Sequence, residues 1–182
     1  MRILAPALAL ALAAIPAAAP AALKEGSKAP DFSTSGALAG KPFKLHLKEQ
    51  LRHGPVVLYF FPKAFTQGCT LETRAFSEAM PEFRKLGARV IGMSADDYAT
   101  LARFSKEECR DAFPVATAGP ATVKAYDVLL KPDAQLTNRT SYVIAPDGTI
   151  LHAHSEMDWH NHVSSTLAAV SSIAGIASTQ AT

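Results

Sequence analysis

Residues 56–69 read VVLYFFPKAFTQGC, an apolar run that leads into a loop and a cysteine. The first six residues are all apolar, as expected of a central strand covered by helices on both faces. Residues 71–86 carry apolar side chains at helical spacing, so Cys69 should lie in the first turn of a helix. A helix N-terminus has partial positive charge and unpaired N–H groups, which stabilise a thiolate. The stretch therefore predicts a reactive cysteine; the alternative is a small buried cysteine.

Strand and helix patterns alternate along the rest of the chain. We expect an edge strand at 43–47, a central strand at 88–93, helices at 97–112, 120–130 and 163–176, a short extended piece at 113–116, and a hairpin of 139–145 with 149–154. Pro81 should either kink the helix after Cys69 or begin a second short turn. The element order predicts an α/β, thioredoxin-like fold, with a mixed central sheet flanked by helices on both faces. Periodicity alone supports only a single α/β domain.

The first 21 residues have the pattern of an export signal. Met1-Arg2 is a basic start, an Ala- and Leu-rich apolar stretch follows, and Ala19-Pro20-Ala21 suits signal peptidase. We expect a signal peptide at 1–21, one domain at 22–182 with a frayed tail at 177–182, and a periplasmic location. An uncleaved membrane anchor is the alternative, although the apolar stretch is short for a membrane span.

Charge and cysteine content narrow the possible partners and functions. The formal net charge of +2 argues against binding to nucleic acid, and we expect no stable membrane association after signal cleavage. Cys69 and Cys109 lie 40 positions apart (109 − 69 = 40), which excludes a C-x-x-C motif, and two thiols are too few for an all-cysteine zinc site. In an exported protein such a pair is either a structural disulfide or a redox couple.

The motif Pro62-x-x-x-Thr66-x-x-Cys69 resembles the active-site motif of the peroxiredoxins. Its surroundings are most similar to the Q-type subfamily, also called bacterioferritin comigratory protein. Three further segments resemble the family in the same order: GSKAPDF at 26–32, VIGMSAD at 90–96 and RTSYVIAPDG at 139–148. The resemblance extends over about residues 26–170, nearly all of the chain that follows the signal.

The chain departs from the subfamily pattern at two positions. Gln67 stands where a proline is usual, which loosens the loop without changing a catalytic atom. Arg74 stands where many members have a second cysteine. Other members place that cysteine in the later helix, where Cys109 falls.

The resemblance implies a thiol-dependent peroxidase in which Cys69 is the peroxidatic cysteine. Pro62, Thr66 and Arg139 would form the rest of the active site. The substrates would be hydrogen peroxide and organic hydroperoxides, and the electrons would come from a thioredoxin-like or other thiol protein. We expect no cofactor and no bound metal, and a monomer or weak dimer.

The residues also suggest how the thiolate is stabilised. Arg139 begins a strand that should lie beside the one ending at Phe61, and an opposite charge within about 4–6 Å lowers the pKa of an acid by about 1–3 units. The Thr66 hydroxyl and the backbone N–H groups of Gly68 and Cys69 would donate to the peroxide oxygens. The alternatives are a solvent-facing arginine, and a threonine that only caps the helix.

The role of Cys109 is less defined by the sequence. By resemblance it would attack the oxidised Cys69 and form an intramolecular disulfide. On the predicted helix it falls on the apolar stripe, so an inert core thiol is the alternative. Three other functions stay open: a peroxidase resolved by an external thiol, a thioredoxin-fold disulfide carrier, and a non-enzymatic domain with a structural Cys69–Cys109 disulfide.

Four histidines lie close together around Trp159: His152, His154, His160 and His162. They could bind zinc or copper, because His-x-His on a strand places both imidazoles on one face. A polar outer face and a solvated helix start are the more common explanation. We expect Glu72 and Arg74 to be supporting or surface residues rather than catalytic ones.

Overall fold

The computed structural model describes residues 22–179, with side chains described for 22–173. Seven strands and five helices follow one another in these residues. They are β1 (Ser33–Leu38), β2 (Lys41–His46), α1 (Leu47–Leu51), β3 (Val56–Phe60), α2 (Gln67–Lys85), β4 (Arg89–Ser94), α3 (Tyr98–Glu107), β5 (Val115–Thr117), α4 (Pro120–Ala125), β6 (Thr140–Ile144), β7 (Ile150–Ser155) and α5 (His162–Thr179).

The seven strands form one mixed sheet in the order β2-β1-β5-β4-β3-β6-β7. Strand β3 pairs in parallel with β4 and antiparallel with β6, and β4 pairs in parallel with β5. The predicted α/β fold is therefore confirmed, and β2 is the predicted edge strand. Because Phe60 pairs with Thr140, the end of β3 lies beside the start of β6.

Strand β3 is buried on both sides, as its apolar run predicts. Tyr59 and Phe61 join the core on the α2 and α3 face, whereas Leu58 and Phe60 join the core on the opposite face. This alternation follows from the two-residue period of a strand. Full burial of each such side chain contributes about 1.5–3 kcal/mol, so the segment that leads to Cys69 is firmly anchored.

Strand β1 and helix α1 are absent from the sequence-based prediction. The β1 sequence, STSGAL, is mostly small and polar, yet it pairs with β2 along its whole length and with β5 at two positions. A Cβ atom at Gly36 would lie 2.1 Å from the Val115 carbonyl oxygen, so only glycine allows this approach. The strand is formed by its partners rather than by its own propensity.

Helix α3 ends at Glu107, five residues before its predicted end. The Cys109 N–H donates to the Phe104 carbonyl, and Arg110 and Asp111 then adopt left-handed φ angles of 49° and 59°. The expectation that Cys109 lies on the helix is therefore wrong, because the chain turns here to enter β5. Helix α4 likewise ends at Ala125 rather than at residue 130.

The remaining boundaries concern Pro81 and the two ends of the chain. Helix α2 is one helix through Pro81, so no second turn begins there. Helix α5 continues to Thr179, three residues into the predicted frayed tail. The predicted signal peptide and residues 180–182 lie outside the described residues.

Within residues 22–179, none of the helices combines the length and the apolar character needed to cross a membrane.

Candidate active site

Cys69 is the third residue of α2, and its side chain is 1 % exposed. The loop that connects β3 to α2 is held at both ends. The Ala64 N–H donates to Asp96 Oδ2 at 2.7 Å, and Thr137 Oγ1 donates to the Phe61 carbonyl at 2.7 Å. These bonds fix the first turn of α2 against the ends of β4 and β6. The first N–H groups of a helix have no carbonyl acceptor within that helix, so those at the start of α2 point out of its end, beside Cys69.

Arg139 lies directly beside the cysteine. Its Nη2 donates to Cys69 Sγ at 3.5 Å, and its Nε donates to the Met157 carbonyl at 2.9 Å. The residue precedes β6, so the pairing of β3 with β6 brings it to the cysteine. A Cβ atom at Gly68 would lie 3.3 Å from Nη2, which means that glycine leaves room for the guanidinium.

Glu72 holds the other side of the guanidinium. Its Oε2 accepts from Arg139 Nη1, and its side chain is completely buried. Burial raises the pKa of Glu72 to about 8, although the charge and hydrogen bond of Arg139 lower it. Sulfur, guanidinium and carboxyl group therefore form a continuous buried charge cluster.

His162, the first residue of α5, extends this cluster. Its Nδ1 lies 3.7 Å from Glu72 Oε1 and 2.8 Å from Ser141 Oγ, and its Nε2 lies 3.0 Å from the Glu156 carbonyl oxygen. Burial lowers the pKa of His162 to about 4. The site thus consists of one buried sulfur, one cation, one carboxyl group and one imidazole.

Comparison with known proteins identifies the family. Residues 26–153 match the AhpC/TSA family. The chain belongs to this family. It is 31 % identical to peroxiredoxin Bcp of Xanthomonas campestris, over 63 % of this chain and 75 % of that protein. It is 34 % identical to the selenocysteine-containing peroxiredoxin PrxU of Peptoclostridium acidaminophilum, over 69 % of this chain and 64 % of that protein.

Solved structures agree with the assignment. Peroxidoxin BcpB of Mycobacterium tuberculosis superimposes with a TM-score of 0.73 at 31 % identity, covering 83 % of this chain and 98 % of that one. Peroxiredoxin Q of Xanthomonas campestris gives a TM-score of 0.67 at 29 % identity, covering 77 % of this chain and 90 % of that one. The protein is therefore a peroxiredoxin, a thiol-dependent peroxidase.

In this peroxiredoxin, Pro62 and Thr66 both lie in the loop between β3 and α2, just before Cys69. Thr66 is the N-cap residue of α2, but its side chain does not cap the helix. Its Oγ1 donates instead to the Lys63 carbonyl at 2.9 Å, so the hydroxyl hydrogen is engaged within the loop. Pro62 is half-buried in the same loop. Arg139 is 5 % exposed, which rules out the solvent-facing alternative.

Cys109 lies against the middle of α2, away from the charge cluster. Its carbonyl accepts from Ser77 Oγ at 2.8 Å, and its side chain is completely buried. Burial raises the pKa of the Cys109 thiol well above its ordinary value, and the acids Glu108 and Asp111 add to this shift. Both cysteines are free thiols in the described structure.

Glu72 has a more central place in the site than its sequence position led us to expect. It lies one turn after Cys69 and one turn before the buried Phe76, so its spacing alone places it on the buried stripe of α2. The surface alternative is wrong for Glu72, whereas Arg74 is partly exposed and pairs with Glu108 at 2.7 Å. His162 could not be singled out, because nothing local distinguishes it from its neighbours.

The other histidines have different partners, although the His152 and His154 rings stack with their centroids 6.4 Å apart. His152 Nδ1 lies 3.1 Å from Glu25 Oε1, His160 pairs with Asp158, and the His154 ring lies 4.5 Å from that of His162. Among the described residues, no group of three or more His, Cys, Asp or Glu side chains is arranged to hold a metal ion.

Proposed function

We propose that Cys69 is the peroxidatic cysteine, the thiol that attacks the peroxide. The observation that carries this proposal is the 3.5 Å contact between Arg139 Nη2 and Cys69 Sγ in the first turn of α2. A guanidinium at this distance and the N-terminus of a helix both favour the thiolate over the thiol. The thiolate, and not the thiol, is the nucleophile in such a reaction.

The reaction at this site is a two-electron oxidation of sulfur. The Cys69 thiolate attacks one peroxide oxygen, an S–O bond forms, and the O–O bond breaks. Sulfur becomes a sulfenic acid, while the other oxygen leaves as hydroxide or alkoxide and is released as water or an alcohol after it takes up a proton. Arg139 and the N–H groups of the first turn stabilise the charge on the leaving oxygen. Thr66 Oγ1 accepts a hydrogen bond from the peroxide O–H group.

Peroxide consumption with dithiothreitol as reductant tests this assignment. Cys69→Ser is expected to reduce the rate to the background of the reagent, whereas Cys109→Ser should keep the first oxidation step, because Cys109 lies outside the charge cluster. Peroxidase activity in the Cys69→Ser variant would refute the proposal.

We further propose that the enzyme accepts organic hydroperoxides as well as hydrogen peroxide. Apolar side chains surround the segment that carries Cys69: Phe65 is 37 % exposed, Leu71 is 39 % exposed and Met157 is 53 % exposed. Trp159 also lies close, since its Cδ1 is 3.8 Å from the position of a Cβ atom at Gly68. The bacterioferritin comigratory protein of Xanthomonas campestris, a solved structure similar to this chain, is described as having alkyl peroxide reduction activity.

A comparison of tert-butyl hydroperoxide with hydrogen peroxide tests the substrate range. Met157→Gln should raise KM for the organic peroxide about 3- to 10-fold and leave KM for hydrogen peroxide unchanged, because the apolar contact contributes about 1 kcal/mol. Leu151→Gln is the matched control, since Leu151 is also an exposed apolar residue, 39 % exposed, on β7. An equal change in KM for both peroxides would contradict the proposal that exposed apolar side chains bind the organic peroxide.

We propose that Cys109 resolves the sulfenic acid. Its sulfur attacks the Cys69 sulfur, a disulfide forms and water leaves. Ser77, which binds the Cys109 carbonyl, lies eight residues after Cys69, about 12 Å along the axis of α2. A disulfide needs Cα atoms within about 7 Å, so the start of α2 and the segment after Glu107 must both unwind. The left-handed residues Arg110 and Asp111 lie in this second segment.

Mass spectrometry after one equivalent of peroxide separates the two resolving schemes. An intramolecular Cys69–Cys109 disulfide supports resolution by Cys109. Cys69 as sulfenic or sulfinic acid with Cys109 unmodified would contradict it and leave an external thiol as the reductant. The Cys109→Ser variant should then match the wild type in turnover with a thioredoxin-type donor.

We also propose that the enzyme works in the periplasm as a monomer or weak dimer and is reduced there by a thioredoxin-type thiol protein. The basic start, the apolar stretch and Ala19-Pro20-Ala21 support export. N-terminal sequencing of the protein recovered from a periplasmic fraction should begin at or near Ala22. Recovery of an intact Met1 terminus from the cytosol would contradict export, and sedimentation velocity tests the oligomeric state.

A further inference from the structure

A completely buried carboxylate oxygen in the active site lacks a hydrogen-bond partner. Glu72 Oε1 is the atom, and the described residues offer it no donor within hydrogen-bond distance. His162 Nδ1 lies 3.7 Å from it, and that side chain is also completely buried. A buried carboxylate oxygen without a hydrogen bond costs free energy. The protonation of Glu72 and of its neighbour His162 must therefore account for it.

The hydrogen bonds of His162 show which form of the ring faces Glu72. Its Nε2 lies 3.0 Å from the Glu156 carbonyl, which can only accept, so Nε2 carries a hydrogen. In a neutral ring Nδ1 then accepts from the Ser141 hydroxyl, 2.8 Å away, and offers no hydrogen to Glu72 Oε1. Two acceptors in a buried site repel each other unless a proton lies on one of them.

The total charge of the site leads to the same requirement. A Cys69 thiolate, an ionised Glu72 and the Arg139 cation sum to one negative charge in a buried cluster. One proton on Glu72 or His162 makes the cluster neutral, and a buried net charge is strongly disfavoured. It also leaves the Arg139 charge free to act on the thiolate, because the carboxylate no longer competes for it.

We propose that Glu72 and His162 together hold one proton while Cys69 is a thiolate, and that His162 is a positioning residue that keeps the Arg139 charge directed at Cys69. This inference rests on the proposed role of Cys69. The peroxidase should therefore lose activity in alkaline solution when this proton leaves, although more of the free peroxide and thiols are then ionised.

Titratable groups face this pair from each packed element. From β3, Tyr59 binds Thr73 Oγ1 at 3.0 Å, and burial raises the pKa of its hydroxyl well above its ordinary value, so it stays neutral. From β7, the His154 ring lies 4.5 Å from His162 and is 17 % exposed, which connects the pair to solvent. The β7–α5 connection contributes Asp158, which is exposed and paired with His160.

The first test is the pH dependence of the rate at which peroxide oxidises Cys69. The wild type should slow about tenfold for each pH unit above about 8, where Glu72 ionises. Glu72→Gln, which cannot ionise, should lose this alkaline decrease. His162→Phe should move the decrease to lower pH, because protonated Glu72 then has no acceptor. Glu78→Gln, an exposed acid on α2, is the control and should follow the wild type.

A second test observes the proton without measuring activity. At neutral pH, the infrared difference between wild type and Glu72→Gln should contain a protonated carboxyl band, and nitrogen NMR should show one protonated His162 nitrogen. A protonated Glu72 supports the proposal. An ionised Glu72 together with a singly protonated His162 would overturn it, as would a wild-type rate without the alkaline decrease. Activity that survives Cys69→Ser would instead overturn the proposed role of Cys69.

Discussion

The two cysteines are equally buried but have opposite electrostatic surroundings. Cys69 is 1 % exposed in the first turn of α2, with a guanidinium nitrogen 3.5 Å from its sulfur. Cys109 is 0 % exposed just after the last turn of α3, next to the acids Glu108 and Asp111. A helix N-terminus is partly positive and a C-terminus partly negative, so each helix end reinforces its local charges. The sign of the neighbouring charge, rather than exposure, is therefore what distinguishes the two thiols.

Removal of the Arg139 cation should have the largest effect on the difference in reactivity between Cys69 and Cys109. Arg139→Met should slow oxidation of Cys69 by peroxide about 10²–10³-fold, because about 3–4 kcal/mol of stabilisation of the thiolate and leaving oxygen is lost. Stopped-flow kinetics measures the rate, and absorbance of the thiolate reports its fraction at neutral pH. Arg103→Met, at an exposed arginine, is the control. A decrease below threefold would mean that the guanidinium does not distinguish the two cysteines.

Alkylation compares the two thiols directly. In the native protein at neutral pH, iodoacetamide should modify Cys69 about 10²-fold faster than Cys109, because burial and two acids keep Cys109 protonated. In denaturant the two rates should agree within about threefold, since the folded charge pattern is gone. Peptide mapping over time measures both rates. Faster labelling of native Cys109 would reverse the comparison.

The charge cluster around Cys69 should also give the protein a pH-dependent stability. The pKa of Glu72, raised from 4.5 to about 8, means that the folded state binds an extra proton, so the contribution of this group to stability falls as pH rises through that range. The fall is unopposed by His162 only between pH 6.5 and about 8. The expected loss is about 1–2 kcal/mol in the free energy of unfolding.

Below pH 6.5 the effect of His162 opposes that of Glu72. Its pKa is lowered to about 4, so stability from this group rises between about pH 4 and 6.5 and is complete above that range. Urea unfolding at several pH values measures the sum of both effects. Glu72→Gln should remove the decrease above pH 6.5, and a decrease that persists in this variant would assign it to another group.

The smallest change in thiol reactivity is expected when an acid beside Cys109 is removed. Glu108→Gln removes one of the two acids beside Cys109 and should raise its native alkylation rate about 2- to 5-fold, since burial, the largest cause of its pKa shift, stays. The loss of the partly exposed pair with Arg74 should change stability by less than about 1 kcal/mol. An increase in the alkylation rate above tenfold would show that charge, and not burial, is the main reason that Cys109 reacts slowly.

Local pattern predicted the parts of the site that lie close in sequence. The apolar run of β3 and the helical periodicity after it placed Cys69 in the first turn of α2, and the expected strand pairing brought Arg139 to it. Glu72 could have been added from its spacing to Cys69 and Phe76. These inferences succeed because strand and helix periods are local properties of the chain.

Tertiary structure alone produced the rest. Glu72 and His162 are 90 positions apart (162 − 72 = 90) and meet only because α5 packs beside α2. The early end of α3, which moves Cys109 off the helix, and the polar strand β1 depend likewise on distant partners. By itself, the sequence determined the fold class, the family motif and the place of the Cys69 sulfur at the start of a helix. The ionisation of the groups around that sulfur was decided by tertiary packing, because burial and neighbouring charge depend on segments that are remote along the chain.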